Sequence, residues 1–361
     1  MRAVVMRNKK LVVADLPIPE PGPGEVLVKT LACGICGSDL HTLKHAEKLV
    51  ETSRRSGGAF TMDLDRDIVM GHEFCVEIVD YGSDTKKNLK TGTRACSMPV
   101  LIRPTGVETV GYSNDNRGGY GEYMRLTEGL LLAVPNGLST EHAALTEPMA
   151  VGFHAVEKAR LNKDDVPLVI GCGPVGLAVL ASLRLKGVRP IVAADFSPRR
   201  RALAEKVGAD VIVDPAEKSP YESWRQVAAW TDTNRAPQLP PWITGPALRP
   251  AVIFECVGVP GVIDQIMASA PQGARIVVVG VCMEKDIIEP MFGINKELNV
   301  QFILGYTRDE FTETLHHIAE GEIPVEPLIT GKVGVEGVAQ AFEDLGSPEH
   351  HAKILVEPWR S

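Results

Sequence analysis

Residues 166–195 read VPLVIGCGPVGLAVLASLRLKGVRPIVAAD, and their order decides the fold. A short apolar run, VPLVI, leads directly into Gly171, Gly173 and Gly176, spaced as G-x-G-x-x-G. The helix-forming stretch PVGLAVLASL follows, and a second apolar run ends on Asp195. Strand, glycine turn, helix and strand in that order are the context in which this spacing binds a dinucleotide. The first glycine permits the tight turn, the second lets the backbone approach a pyrophosphate, and the third lets helix pack on strand, with the helix N-terminus facing the phosphates. Asp195, at the end of the second strand, is placed to accept a hydrogen bond from a ribose hydroxyl and to repel a 2′-phosphate. The same letters in isolation would fit plain turns, with Asp195 capping the helix that begins at Ser197–Pro198. Arg199, Arg200 and Arg201 act in the opposite sense, because arginines after the second strand can hold an NADP phosphate. NAD is therefore the expected cofactor and NADP the alternative.

The pattern extends outward from this unit. RPIVAADFSPRRRALAEKVGA and VIVDP continue the alternation of strand and helix, and AVIFECVG (251–258) and ARIVVVGV (274–281) add two strands around the helical GVIDQIMASA. That periodicity predicts an α/β fold with a doubly wound parallel sheet. Up to residue 150 the texture is different. Residues 1–42 alternate β-branched runs with turn signals, densest in LPIPEPGPGE (16–25), and FCVEIV (74–79) and YGEYMRL (120–126) follow, so this part is mainly β. AVGFHAVEKARL (150–161) has helical spacing, and the tail holds two helical stretches and a closing strand, AKILVEP (352–358).

Composition sets bounds on function. Lys and Arg number 38 against 46 Asp and Glu in 361 residues, a formal charge of −8, with 44% hydrophobic residues. No basic face for nucleic acid is advertised, and a short disulfide module is excluded. Seven cysteines, an odd number spread from Cys33 to Cys282, suit a thiol-retaining compartment, and a cytoplasmic enzyme is the expectation. The opening MRAVVMRNKK shows no export signal. The one stretch long enough for a membrane span, Val166 to Leu183, is interrupted by the glycines and proline of GCGPVG, so no membrane partner is expected.

Candidate metal ligands are scattered. Cys36, His72, Glu73 and Glu147 lie too far apart for spacing to reveal a site, and Cys33 with Cys36 forms a C-x-x-C that could also be a redox dithiol. That motif normally opens a helix in a βαβ unit, whereas here it closes a β-rich run.

CGICGSDLH (33–41), GHE (71–73), EPMAVGFHA (147–155) and GCGPVG (171–176) occur in that order. The chain thereby resembles, over nearly its whole length, the zinc-dependent alcohol dehydrogenases of the medium-chain dehydrogenase/reductase superfamily, in the polyol and threonine dehydrogenase-like branch. The resemblance implies a mainly β GroES-like catalytic domain over 1–148, completed by 303–361, and a Rossmann domain over 149–302. It implies Cys36 and His72 as zinc ligands and Glu147 in the third ligand position. Glu73 is implied beside the metal, as ligand or neighbour, and Asp39 as the carboxylate that orients the histidine. Ser38 and His41 match the family's proton relay, and Lys353 matches a basic residue that reaches the pyrophosphate. Three protein ligands leave zinc a fourth position for a substrate oxygen.

The expected activity is NAD-dependent oxidation of an alcohol, a secondary alcohol or polyol, to its ketone. The alternatives are a zinc-free quinone or enoyl reductase of the same superfamily, which would lack the ligand set, and a non-enzymatic NAD-binding protein on this scaffold.

Departures from the family are also legible. The segment GTRACSMPVLIRPTGVETVGYSNDNRGGYGEYM contains only Cys96, so the four-cysteine structural zinc of many relatives cannot be built and one catalytic zinc per chain is expected. Two segments are longer than the family minimum. Residues 43–69 should emerge near the metal, and 219–250, with Trp224, Trp230 and Trp242, reads as a contact surface or as a flap on its own domain. NVQFIL (299–304) resembles the edge strand that pairs across a two-fold axis in relatives, implying a homodimer or homotetramer.

Overall fold

The structure is a computed structural model that describes every residue except Thr233, 239–244, Pro348 and Ser361. The chain divides into two compact units, Met1–Pro148 with the chain from Thr307 onward, and Met149–Tyr306. The return to the first unit comes after Tyr306 rather than after 302, because the stretch that follows strand Asn299–Phe302 stays with the second unit.

The second unit is built on a six-stranded parallel sheet. Its strands lie in the order Val211–Val213, Val192–Ala194, Val166–Ile170, Ala251–Glu255, Arg275–Val278, Asn299–Phe302. Strand Val166–Ile170 is central, and the chain winds first to one side of it and then to the other. The strand order therefore reverses between Val166–Ile170 and Ala251–Glu255, the place where an open α/β sheet leaves a crevice at its carboxyl ends. Helices cover both faces, so the inner strands are buried, apart from the half-buried Ile170, and read as largely apolar runs. The stretch from Val166 to Leu183 is thus a five-residue strand and most of helix Pro174–Leu185, and no described helix is long and apolar enough to cross a membrane. In the 219–250 segment, helix Pro220–Ala228 turns Trp224 into the core at 2% exposure, where its indole N–H donates to the Val166 carbonyl at 2.9 Å. As far as Trp224, the flap packs on its own unit. Trp242 lies outside the described residues.

The first unit is organised by the long strand Glu25–Gly34, which pairs antiparallel with Glu73–Tyr81, Tyr123–Thr127 and the closing strand Lys353–Val356. Ile329–Val333 extends the sheet in parallel beyond Lys353–Val356. The tail completes this unit because its last strand lies against Cys33 and Gly34, at the end of Glu25–Gly34 that leads into the metal motif. The 43–69 segment begins as a continuation of the motif itself. Helix Gly37–Ser56 runs through it with a kink at His45 and stops at Gly57, whose φ of +69° gives the left-handed cap that glycine tolerates best. Leu40, Leu43, Ala46, Leu49 and Val50 pack this helix onto the β core.

The lobe that lacks the four cysteines is a hairpin, Val100–Arg103 with Gly106–Thr109. Its brace is ionic. Arg103 reaches Glu25 at 2.8 Å and Glu108 at 2.6 Å, its Nη2 donates to Asn116 at 3.2 Å, and Asn116 in turn donates to Glu108 at 2.7 Å. Glu25 and Asn116 are buried, and Arg103, with Arg125 3.5 Å from the other Glu25 oxygen, compensates the Glu25 carboxylate inside the fold. Breaking a buried pair from one side leaves the other charge unsatisfied. Arg103→Met leaves Glu25 with Arg125 alone and should lower stability by about 1–3 kcal/mol in urea unfolding, and a loss below the scatter of surface substitutions would show that the hairpin is held some other way.

Candidate active site

Strand Glu25–Gly34 ends two residues before Cys36, which sits at the N-terminal cap of helix Gly37–Ser56. Opposite it, His72 immediately precedes strand Glu73–Tyr81, and the antiparallel register sets Gly34 against Glu73. Two glycines make this convergence possible. A Cβ on Gly34 would lie 2.0 Å from the Glu73 carboxylate, and one on Gly71 would lie 2.7 Å from the Tyr120 ring, at a φ of +101°. Cys36, His72 and Glu73 consequently bring a sulfur, an imidazole nitrogen and a carboxylate oxygen within 4.8 Å of one another. Sulfur, imidazole nitrogen and carboxylate oxygen, partly sheltered, are donor types that suit Zn²⁺, and Glu147 is not among the groups that converge there. Cys33, the other half of the C-x-x-C, is fully buried against Gly71 and Gly119, and burial pushes its thiol pKa well up, so it serves packing.

Behind the donors lies Asp39, with none of its surface exposed. It accepts hydrogen bonds from the Cys36 amide at 3.0 Å, the Tyr112 hydroxyl at 2.9 Å and the Tyr120 hydroxyl at 2.6 Å, and His72 Nδ1 stands 3.4 Å from its Oδ1. Burial alone would raise the Asp39 carboxyl pKa, but the neighbouring imidazole, the Tyr120 hydroxyl and the Cys36 amide outweigh it and hold it below the usual range. For His72 the balance also favours charge: burial pulls its pKa down, while Asp39 and Cys36 push it well above the ordinary value. A carboxylate facing Nδ1 fixes the ring and makes the other nitrogen a better metal donor. Burial first, and the Asp39 charge second, push both tyrosine hydroxyls far up, so each remains a proton donor. Ser38 lies 2.8 Å from the Tyr112 hydroxyl, and His41 is half-buried one turn along the same helix.

Lys353 reaches the metal cluster. The closing strand carries it there, and its ammonium lies 2.7 Å from both Glu73 oxygens and donates to the Ile35 carbonyl at 3.0 Å, at 1% exposure. Burial would lower its pKa, but Glu73, Cys36 and Glu147 together raise it. Glu147, in the first turn of helix Thr146–Lys158, is buried and near enough for its charge to act on Lys353.

In the second unit Gly171 has a φ of +92°, and a Cβ on Gly176 would lie 1.9 Å from the Gly171 carbonyl, so the turn and the helix packing both demand glycine. Gly173 is different. A Cβ there would meet nothing nearer than Arg200 at 3.8 Å, so the protein's own packing does not require glycine, and the bare backbone suits a phosphate at the start of helix Pro174–Leu185. Asp195 accepts from the Cys172 amide at 2.7 Å and from the Ser197 amide at 2.8 Å, tying the glycine loop to the end of the second strand. Arg201 is committed to the Asp195 and Phe196 carbonyls and to Asp214. Arg200 Nη1 lies 3.9 Å from Asp195, and its buried Nε has no hydrogen-bond partner.

Residues 22–136 match the alcohol dehydrogenase GroES-like domain family, and residues 174–320 match the zinc-binding dehydrogenase family. The chain is 32% identical to the (R,R)-butanediol dehydrogenase of Bacillus subtilis strain 168, over 99% of this chain and all of that protein. It belongs to the zinc-dependent medium-chain dehydrogenases. Within this family it is also 27% identical to a sorbitol dehydrogenase of the same bacterium, over the whole of this chain and 98% of that one. A crystal structure of a putative zinc-binding dehydrogenase from Sinorhizobium meliloti, bound to NADP, superposes over 99% of each chain with a TM-score of 0.78 at 26% identity.

The protein is thus an oxidoreductase, and the zinc-dependent family pairs its metal with a nicotinamide cofactor. Tyr112 and Tyr120 in this dehydrogenase escape sequence reasoning because they lie in a stretch without a motif. Lys353 and Glu73 are an opposite-charge pair 280 positions apart, which no local spacing exposes. Lys353→Met would strand the Glu73 carboxylate, and should cost roughly 3–5 kcal/mol in urea unfolding. The double variant with Glu73→Gln should recover much of that loss. Equal loss in the single and double variants would show that Lys353 stabilises by packing alone.

Proposed function

We propose that this dehydrogenase interconverts a secondary alcohol or vicinal polyol and its ketone, with NAD as hydride acceptor and one zinc per chain. The observation that carries this reading is the convergence of Cys36, His72 and Glu73 within 4.8 Å, with Asp39 behind the histidine. Such a donor set would be superfluous in a zinc-free reductase or a protein that only senses NAD. Cys36 and His72 hold the metal together with one carboxylate. Because Lys353 engages both oxygens of Glu73, Glu147 is the better candidate for that third place and Glu73 for the charged neighbour. When bound, zinc supplies Lewis-acid polarisation of the substrate oxygen and the nicotinamide accepts the hydride. The chain's own part is to orient His72 through Asp39, to place the Ser38 hydroxyl where it meets the substrate hydroxyl, and to pass the proton outward by His41. The names of the butanediol and sorbitol dehydrogenases support substrates with adjacent secondary hydroxyls.

The direct test is NAD reduction across 2,3-butanediol stereoisomers, sorbitol, simple secondary alcohols and primary alcohols. A vicinal secondary diol or polyol should give the highest kcat/KM, and a preference for primary alcohols would overturn the substrate class. Cys36→Ser should abolish turnover and leave the fold intact.

Glycines 171, 173 and 176 and Asp195 are proposed to hold the dinucleotide, with Asp195 selecting NAD over NADP. Arg200, with its unpartnered buried Nε, supports the opposite choice, and the two predict different cofactors. Asp195→Ala should shift the kcat/KM ratio toward NADP by about tenfold or more. A wild type that already prefers NADP would assign the arginine the deciding role.

A homodimer is also proposed. Strand Asn299–Phe302 forms the sheet edge with every residue exposed, and Ile287, Met291, Ile294, Phe302 and Leu304 beside it are apolar and more than half exposed. An edge of this kind invites pairing, and two-fold pairing needs only one self-complementary patch. With Trp224 buried in its own unit, the 219–250 segment has less to offer a tetramer contact. Light scattering should give twice the 39.0 kDa chain mass, and a monomer at micromolar concentration would refute the pairing. A thiol-retaining cytoplasmic location follows from the same reading of the seven free cysteines.

A further inference from the structure

Three rings stand in a row that begins at the metal donors. The His72 imidazole has the Tyr112 ring at 5.2 Å between centroids, and Phe60 stands edge-on to Tyr112 beyond it, at 5.4 Å. The row runs outward. His72 and Tyr112 each keep 8% of their surface exposed, whereas Phe60 is half-buried. Its neighbours Gly57, Gly58, Ala59 and Thr61 are all exposed, so the fold brings this one ring of the stretch back toward the site.

The segment that carries Phe60 is held in place along its length. The Phe60 amide donates to the Ser53 hydroxyl at 2.9 Å, near the end of the motif helix. Asn114, two residues past Tyr112, accepts from the Asp63 amide at 2.8 Å and donates to the Asp63 carbonyl at 2.9 Å, and Arg66 pairs with Asp115 at 2.7 Å. Farther on, the backbones of Met6 and Ile68 exchange hydrogen bonds at 2.7 and 3.2 Å. Phe60 is therefore fixed against Tyr112 by the chain on both sides of it, and ring contact is only part of the hold.

The outer part of this row has nothing polar to offer a ligand. Phenylalanine carries no polar side-chain atom, and the Tyr112 hydroxyl is already engaged by Ser38 at 2.8 Å and Asp39 at 2.9 Å. An alkyl group laid against such rings leaves water at a gain. A hydroxyl laid there loses its water and finds no partner, which is a cost.

We propose that Phe60 is a specificity-determining residue: it bounds the substrate site on the outer side of Tyr112 and selects a secondary alcohol with a short alkyl substituent, as in an alkyl vicinal diol, over a chain hydroxylated at every carbon. This rests on the reading of the Cys36 and His72 cluster as the centre of secondary-alcohol oxidation.

The test measures kcat/KM for 2,3-butanediol and for sorbitol in the wild type, Phe60→Ala and Phe60→Leu, together with KM for NAD and bound zinc per chain. The wild type should favour 2,3-butanediol by at least about tenfold, and Phe60→Ala should reduce that ratio by about tenfold or more. Phe60→Leu, smaller but still apolar, should keep the wild-type order of the two substrates. Zinc content and KM for NAD should be the same in all three. A wild type that prefers sorbitol, or a ratio unmoved in Phe60→Ala, would overturn the proposal and leave secondary-alcohol oxidation standing. No turnover of any secondary alcohol by the zinc-loaded wild type would overturn both. Loss of zinc in Phe60→Ala would make the ring a support of the metal site, and would also contradict the proposal.

Discussion

An ionised carboxylate with no exposed surface must be met by donors on every side, or its burial costs several kcal/mol. Asp39 is in that position: three donors meet it, the Cys36 amide at the helix cap and the hydroxyls of Tyr112 and Tyr120, and the His72 imidazole faces it at 3.4 Å from before its strand. The carboxylate cannot be satisfied unless the motif helix, the strand carrying Glu73 and the hairpin lobe are all assembled. The metal donors are organised by the same requirement, since the imidazole that Asp39 orients is one of them and the cap it closes is another.

The Glu73–Lys353 pair repeats the logic one layer away. Its carboxylate fits only because Gly34 has no side chain, and its ammonium arrives only because the closing strand pairs with Cys33 and Gly34. The tail of the chain is thereby tied to the metal site by charge as well as by sheet. In the dinucleotide unit Asp195 does comparable work on a smaller scale, with the glycine loop and the following helix cap each donating an amide to it. Buried acids with named partners are thus the means by which both units fix their functional loops. They also make those loops intolerant of single substitutions, which is the basis on which Arg103 and Lys353 can be probed.

Much of this is legible in the sequence. The parallel sheet follows from the alternation after residue 150, because strands buried on both faces read as largely apolar runs and the glycine spacing marks the first turn. The proposed ligands Cys36 and His72 are legible only through the order of four motifs, since metal donors converge in space and not in sequence. Residues 43–69 stand out in the sequence only as a segment longer than the family minimum, yet Leu40, Leu43, Ala46 and Val50 recur at intervals of three or four, the period of a helix with one buried face. Tyr112 and Tyr120 had no such signal: an aromatic in a glycine-rich loop looks the same whether its hydroxyl meets solvent or a buried acid. The pairing of Lys353 with Glu73 has no signal in the sequence, because it is set by strand register, which only the fold supplies.

The central claim is that the buried Asp39 carboxylate organises the metal site, and zinc affinity tests it most directly. Competition with a chromophoric chelator should show that Asp39→Asn, which keeps the size and loses the charge, binds zinc roughly 10–100-fold more weakly than the wild type. Unchanged affinity in a folded Asp39→Asn protein would contradict the account, and would mean that Cys36, His72 and their carboxylate are placed by the backbone alone.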